Sequence, residues 1–150
     1  ARTFAKAWGA AGLRVGYAVG HPDTIKFLHK MRPMYEVSSF AIEFVANALK
    51  YAKEMEISVN RTMEGKAFFV ESLKNLGFSV IDTYANFVHV DFADKGKLIH
   101  EALSKEVLYR QSFDHPCLEG YSRFTVAPKK IMQKVLSTIE ISLEGNQINE

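Results

Sequence analysis

The chain has 150 residues, enough for one domain or one domain and part of another, and long enough to bury roughly 70% of its unfolded surface. Its 47% hydrophobic and 24% charged composition is that of a globular protein, and 19 basic against 17 acidic residues exclude the strongly basic surface of a nucleic-acid or anionic-membrane binder. A single cysteine, Cys117, excludes an internal disulfide framework and fits a reducing cytoplasm, the expected location. No run reaches the ~18 apolar residues of a membrane span, and no signal-peptide core follows Ala1.

Taken in chain order, residues 13–19, LRVGYAV, read as a short strand closed by Gly20. Pro22 and Asp23 suit the first turn of a helix that TIKFLHKM continues until Pro33. Ser38 and Ser39 are N-cap candidates for a long helical region. In it Ile42, Val45, Leu49 and Ala52 recur at helical steps, as do Phe69, Leu73 and Leu76. Gly65 argues against one unbroken helix there, and Gly77 is placed to cap its end. FSVID and NFVHVDF then read as strands, the second alternating Phe87, His89 and Asp91 against Val88, Val90 and Phe92. GKLIHEALSKE is a helix with Leu98, Ala102 and Leu103 on one side. VLYRQ and SRFTVA read as short strands around a loop with Pro116, Cys117 and Gly120. Pro128 opens a last helix striped by Ile131, Val135 and Ile139, widened by Met132, Leu136 and Leu143. The tail EGNQINE is polar and expected to fray. This is a mixed α/β order whose boundary falls in the helical region 40–75.

The opening stretch carries chemistry. Lys6 sits among small residues, with Thr3 three residues before it and Arg14 eight after. A lysine amine becomes a nucleophile toward aldehydes when burial or a nearby cation exposes its lone pair. A hydroxyl and a guanidinium suit a phosphate, and Gly9, Gly12 and the alanines between them let backbone approach a ligand closely. A phosphate-bearing aldehyde would need this set. Most lysines are simply solvated, and it is the neighbourhood that distinguishes this one.

TFAKAWGAAGLRVGY closely resembles the segment around the Schiff-base lysine of fold-type I pyridoxal-phosphate (PLP) aminotransferases, a pattern of S/T-x-x-K, small residues and G-x-R-x-G. The histidinol-phosphate aminotransferase branch is the most similar, and RPMYEVSS, ANFVHVDF and YSRFTVA extend the likeness over most of the chain. The resemblance implies the end of the PLP-dependent transferase large domain (residues 1–40), a connecting helical region (41–75) and an α/β small C-terminal domain (76–150). It implies Lys6 as the Schiff-base lysine, which also moves the proton between substrate Cα and cofactor C4′, and Thr3 and Arg14 as holders of the cofactor phosphate. It further implies an amino donor and a 2-oxo acid acceptor, often the 2-oxoglutarate and glutamate pair, and a homodimer without nucleic-acid or membrane partners. Ala5 stands where that branch often has serine.

At the substrate end, Arg110 and Arg123 lie thirteen residues apart. Each alone reads as an edge-strand residue facing solvent; together they suit a clamp on a carboxylate or phosphate. By resemblance Arg123 matches the residue that binds the substrate's acidic group, and Arg110 a second arginine that holds a substrate phosphate. Ala127 and Glu36 depart from the family's usual glycine and asparagine. A PLP lyase or decarboxylase of this fold, acting on a phosphorylated threonine for example, would share these residues, and a non-catalytic dimerisation module is the reading from another class. The five histidines have no zinc-motif spacing, and Cys117 has no CxxC partner. Asn86 suits either a cofactor-facing strand end or a turn, while Tyr17 and Tyr35 suit packed aromatics or pocket walls. The ring-nitrogen carboxylate and the stacking aromatic that PLP chemistry requires match nothing among these residues. In the resembling family they come from chain before the lysine, including a D-x-A-Y-like motif. The expectation is therefore a C-terminal portion that is inactive by itself.

Overall fold

The structure, a computed structural model, describes residues 1–147. It divides into two compact units, Ala1–Val59 and the chain from Asn60 onward.

The first unit opens on a two-residue hairpin, β1 (Arg2–Thr3) antiparallel to β2 (Gly16–Tyr17). The strand expected over 13–19 is therefore shorter. Ala11–Leu13 form a 3-10 turn and Arg14 takes a left-handed φ of 55°, which the chain needs to fold back on its own start. Gly16 is required at the pairing, because a Cβ there would meet the Arg2 carbonyl oxygen at 2.7 Å. Phe4 and Ala10 are buried inside the loop, with Trp8 and Tyr17 each tilted against Phe4 at 5.9 Å. Helix α1 (Pro22–Lys30) starts on Pro22 as expected, and His21 accepts the Asp23 N–H through its ring at 3.4 Å. Asp23 in its first turn and Lys30 in its last oppose the helix dipole. Helix α2 (Ser39–Ala48) is capped by Ser38, whose Oγ accepts the Ala41 N–H at 3.2 Å. Only Ala41 of α2 is buried; Phe40, Ile42 and Phe44 are exposed.

The long helical region breaks at a 3-10 turn, Leu49–Tyr51, and then runs unbroken as α3 (Ala52–Asn75). Gly65 does not interrupt it. The glycine serves packing: a Cβ there would lie 2.0 Å from the Ala127 carbonyl oxygen. Gly77, at φ 86°, ends α3 as expected. Its N–H donates to the Lys74 carbonyl and that of Phe78 to the Leu73 carbonyl, each at 3.0 Å, the paired bonds of a Schellman cap.

The second unit is a three-stranded antiparallel sheet, ordered β3 (Ser79–Asp82), β4 (Phe87–Asp91), β5 (Tyr121–Thr125). Alternation sends Val88, Val90 and Phe124 into one core with Phe69 and Leu73 of α3, Ile99 and Leu103 of α4 (Gly96–Leu103), and Met132, Val135, Leu136 and Ile139 of α5 (Lys129–Gln147). The α5 stripe is the expected one apart from its first residue, while the α4 stripe is displaced. Ile99 replaces Leu98 and Ala102 at the centre of α4's buried side, and Ile131 is exposed while Met132 is buried. VLYRQ forms no strand. Only Arg110 pairs with Arg123, and beside that bridge the Ser122 hydroxyl donates to the Gln111 carbonyl at 2.8 Å. Tyr109 turns inward to stack on Phe124 at 4.5 Å. Helix α5 carries the tail as far as Gln147, and its last three residues lie outside the described ones. Among the described residues no helix is long and apolar enough to cross a membrane.

Candidate functional site

The residues expected to carry the chemistry fall into two groups, one in each unit. In the first unit the β1–β2 hairpin closes the loop that holds Lys6. The Phe4 N–H donates to the Val15 carbonyl at 3.1 Å, and the Ala10 N–H to the Phe4 carbonyl at 3.0 Å. The chain between them turns outward, so Lys6 is exposed. Gly9, at φ 65°, completes that turn by donating to the Lys6 carbonyl at 2.9 Å. The Thr3 hydroxyl accepts the Ala5 N–H at 3.0 Å and donates to the Val15 carbonyl at 3.4 Å. Thr3 thus lies beside the residue that precedes Gly16 and follows Arg14. Arg14 is exposed and donates from Nη1 to the Ala11 carbonyl at 3.4 Å. Neither Lys6 nor Arg14 has a carboxylate within 4.0 Å among the described residues.

This donor set fits the phosphate and aldehyde ends of a pyridoxal phosphate. A hydroxyl and a guanidinium without a carboxylate partner can take the phosphate, and Lys6, exposed in this structure, is not tied up in an ion pair with a described residue. Beside it, a cavity of about 410 Å³ is lined by Ala7, Trp8, Phe44, Ala48, Tyr51 and Met55, with Asn47 as its polar member. Tyr17 leans on Phe4, whereas Tyr35, 92% exposed with φ 61°, is neither packed nor in that cavity.

In the second unit Arg110 and Arg123 pair across an isolated bridge. Their backbones exchange hydrogen bonds of 3.2 and 2.7 Å, and both guanidiniums approach the Phe113 ring, Arg110 Cζ at 4.2 Å and Arg123 Cζ at 6.0 Å. Arg123 also lies 5.2 Å over Phe87. Cation–π contacts of this kind hold a guanidinium in place while leaving its N–H donors free. Arg110 uses Nε on the Ser112 carbonyl at 3.2 Å. The Arg123 guanidinium is half-buried and makes no hydrogen bond or ion pair with a described residue. Phe87, Phe113 and His89 were not singled out as site residues from sequence. For Phe87 and His89 the signal was available: two-residue alternation that buries Val88 and Val90 turns both to the arginine face.

Asn86 sits at the start of β4, where its carbonyl accepts the Val126 N–H at 3.0 Å. Just before it, Lys66 is 2% exposed and inserts Nζ under the β3–β4 turn. There it meets Asp82 Oδ1 at 2.7 Å, the Ala85 carbonyl at 3.0 Å and the Thr83 carbonyl. Cys117 is exposed. Among the described residues no group of three or more His, Cys, Asp and Glu could hold a metal ion.

Solved structures define the class first: the fold is that of the pyridoxal-phosphate-dependent aminotransferases. The histidinol-phosphate aminotransferase of Clostridium acetobutylicum superposes with a TM-score of 0.82 at 24% identity, covering 97% of this chain and 45% of that one. That of Sinorhizobium meliloti, solved in complex with pyridoxal-5'-phosphate, gives 0.71 at 22% identity, covering 96% and 40%. A family model for aminotransferases of class I and II matches residues 1–139, and the chain belongs to that family. With the Sinorhizobium complex, the match indicates pyridoxal phosphate as the family's cofactor. Histidinol-phosphate aminotransferase 1 of Nitrosococcus oceani is 31% identical over 143 residues, which is 95% of this chain and 39% of the relative. The Moorella thermoacetica histidinol-phosphate aminotransferase is 36% identical over 110 residues, or 73% and 28%. The chain thus spans well under half the length of these relatives.

Proposed function

We propose that these residues are the lysine-bearing and substrate-anion-binding portion of a PLP-dependent aminotransferase. Its reaction moves an amino group between a phosphate- or carboxylate-bearing amine and a 2-oxo acid, with 2-oxoglutarate and glutamate as the partner pair. The observation that carries this is the hairpin, which gathers Thr3, Lys6 and Arg14 on one closed loop, within a chain whose match to the family runs from residue 1 to 139. Residues 1–40 are the end of the large cofactor domain, 41–75 the connecting helical region and 76–150 the small domain. The complete enzyme works as a cytoplasmic homodimer.

Thr3 and Arg14 hold the cofactor phosphate, and Lys6 holds its aldehyde carbon. Bound pyridoxal phosphate supplies the electron sink that stabilises negative charge at the substrate Cα. Lys6, freed when the substrate amine takes its place on that carbon, would then move the proton between the substrate Cα and the cofactor C4′, two bonds apart across the nitrogen, a transfer that its flexible stem can span. Arg123, steadied by Phe87 and Phe113, fixes the substrate's acidic group, and Arg110 adds a second fork.

Borohydride reduction in the presence of pyridoxal phosphate, followed by peptide mass spectrometry on the longest natural polypeptide containing these residues, tests this reading. The pyridoxyl group is expected on Lys6 and is absent in Lys6→Ala; labelling elsewhere, or none, refutes it. The 150 residues alone are proposed to be inactive, and transamination by them would overturn that part. A second reading, decarboxylation of a phosphorylated amino acid, draws on the L-threonine-O-3-phosphate decarboxylase of Porphyromonas gingivalis, a neighbour with a TM-score of 0.77 at 23% identity.

A further inference from the structure

We propose that His89 is a third anion-binding group beside Arg110 and Arg123, and that it takes up a proton when a doubly charged oxyanion seats on them. This rests on reading the two arginines as an anion subsite.

Strand register supplies the geometry. His89 pairs directly with Arg123 across β4 and β5, and Arg123 pairs with Arg110 on its other side. Residues in register share a face, so the three side chains form one row across the sheet, opposite the face that buries Val88 and Val90. They also converge on one ring. The His89 ring lies 5.3 Å from the Phe113 ring, to which Arg110 and Arg123 bring their Cζ atoms within 4.2 and 6.0 Å. Phe87 packs edge-on against the other side of His89 at 5.3 Å. The imidazole is therefore held in place by two rings, while neither of its nitrogens bonds a described residue.

The charged neighbours are few. Arg123 faces His89 from β5, and Arg110 from the segment beyond it. Asp91, two residues along β4, spends Oδ1 on the Ala93 N–H at 2.8 Å. Strand β3 offers only Ile81 opposite His89. Asp114 and His115, which follow Phe113, are exposed, and His115 Nδ1 accepts the Cys117 N–H. Burial and then the Arg123 charge hold the imidazole below its ordinary range. A dianion on the guanidiniums cancels the second of these influences and offers an acceptor for an imidazolium N–H, so its arrival favours protonation. By linkage, the anion binds more tightly as pH falls through the His89 titration.

Sulfate is the probe, because its charge does not change across this range. In the labelled 150-residue chain, the His89 Hε1–Cε1 signal is followed against pH with and without sulfate. Sulfate is expected to raise the His89 midpoint by about one unit, equivalent to roughly tenfold tighter binding to the protonated form. His100, which faces the core, is the internal reference and stays put. His89→Gln keeps sulfate binding and loses its pH dependence, whereas Arg123→Gln loses binding. If sulfate perturbs the Arg123 Nε–H signal while His89 titrates unchanged, this proposal fails and the anion subsite stands. If sulfate perturbs neither, the subsite reading itself fails, and the proposal with it.

Discussion

Replacing Gly65 by alanine sets two effects of opposite sign against each other. In an ordinary helix interior the change stabilises by about 1 kcal/mol through backbone entropy. Here the new Cβ would lie 2.0 Å from the Ala127 carbonyl oxygen, 2.7 Å from the Lys129 nitrogen and 2.8 Å from the Pro128 carbonyl carbon. All three are backbone atoms at the entry to α5, so no side chain can swing aside. Relief requires α3 and the start of α5 to separate by about 1 Å, which strips close contacts from Phe69 and Met132, both buried at 0–1% exposure. Overpacking of this kind costs typically 1–3 kcal/mol, and three simultaneous backbone clashes place it at the upper end. The net expectation is a loss of about 2 kcal/mol, which at an m-value near 2 kcal/mol/M lowers the urea midpoint by roughly 1 M. Far-UV circular dichroism in urea measures it. Gly145→Ala is the control, because nothing lies within 4 Å of a Cβ there, so the same change should stabilise by a few tenths of a kcal/mol. A Gly65→Ala midpoint equal to or above that of the unsubstituted chain would refute the packing argument.

Lys66→Met is expected to cost about 2–3 kcal/mol in the same assay, because it strips the Thr83 and Ala85 carbonyls of their donor as well as breaking the ion pair. Asp82→Asn should cost under about 1 kcal/mol, since that carboxylate is 47% exposed; equal losses would show that the carbonyl contacts contribute nothing. Burial lowers the His100 titration below its ordinary 6.5, so the unfolded chain binds protons first as the solution is acidified. The contribution is fully present above pH 6.5 and is lost as pH falls toward the folded-state value. The urea midpoint should therefore drop on acidification, and less steeply in His100→Gln. Burial pushes Tyr109, hydrogen-bonded to His100 at 2.5 Å, up to about 12 from 10.0. Its contribution persists below pH 10 and disappears as pH rises toward 12. In a phenolate absorbance titration it should ionise well above 10.0, and ionisation at 10.0 would contradict its burial.

Where sequence and structure agree, a local signal coincided with the tertiary requirement. The alternation around Val88 and Val90 was unambiguous because one face of β4 is core and the other is not. Ser38 and Gly77 acted as caps because cap chemistry is local. Agreement ended where distant backbone decided the outcome. Gly65 looked like a helix breaker, but the reason for it lies more than sixty residues away, at Ala127. VLYRQ has strand composition, yet only Arg110 meets β5. The α5 stripe was legible apart from Ile131, whereas the α4 stripe was misjudged by about one position, as happens when apolar residues occupy neighbouring faces. The lysine loop was legible as a motif. The nearness of Thr3 to Val15 was not, since it depends on the left-handed turn at Arg14. Phe113 lay in a loop without periodicity, and nothing local marked it.

Trp8, the single tryptophan, stands two residues from Lys6 and packs against Phe4, while the sheet unit contains no tryptophan. Selective tryptophan excitation therefore yields an optical signal that belongs to the lysine loop and contains nothing from the arginine pair. The two halves of the candidate chemistry can be followed separately in one sample: cofactor-like aldehydes by indole quenching, and anions by the histidine and arginine resonances of the sheet.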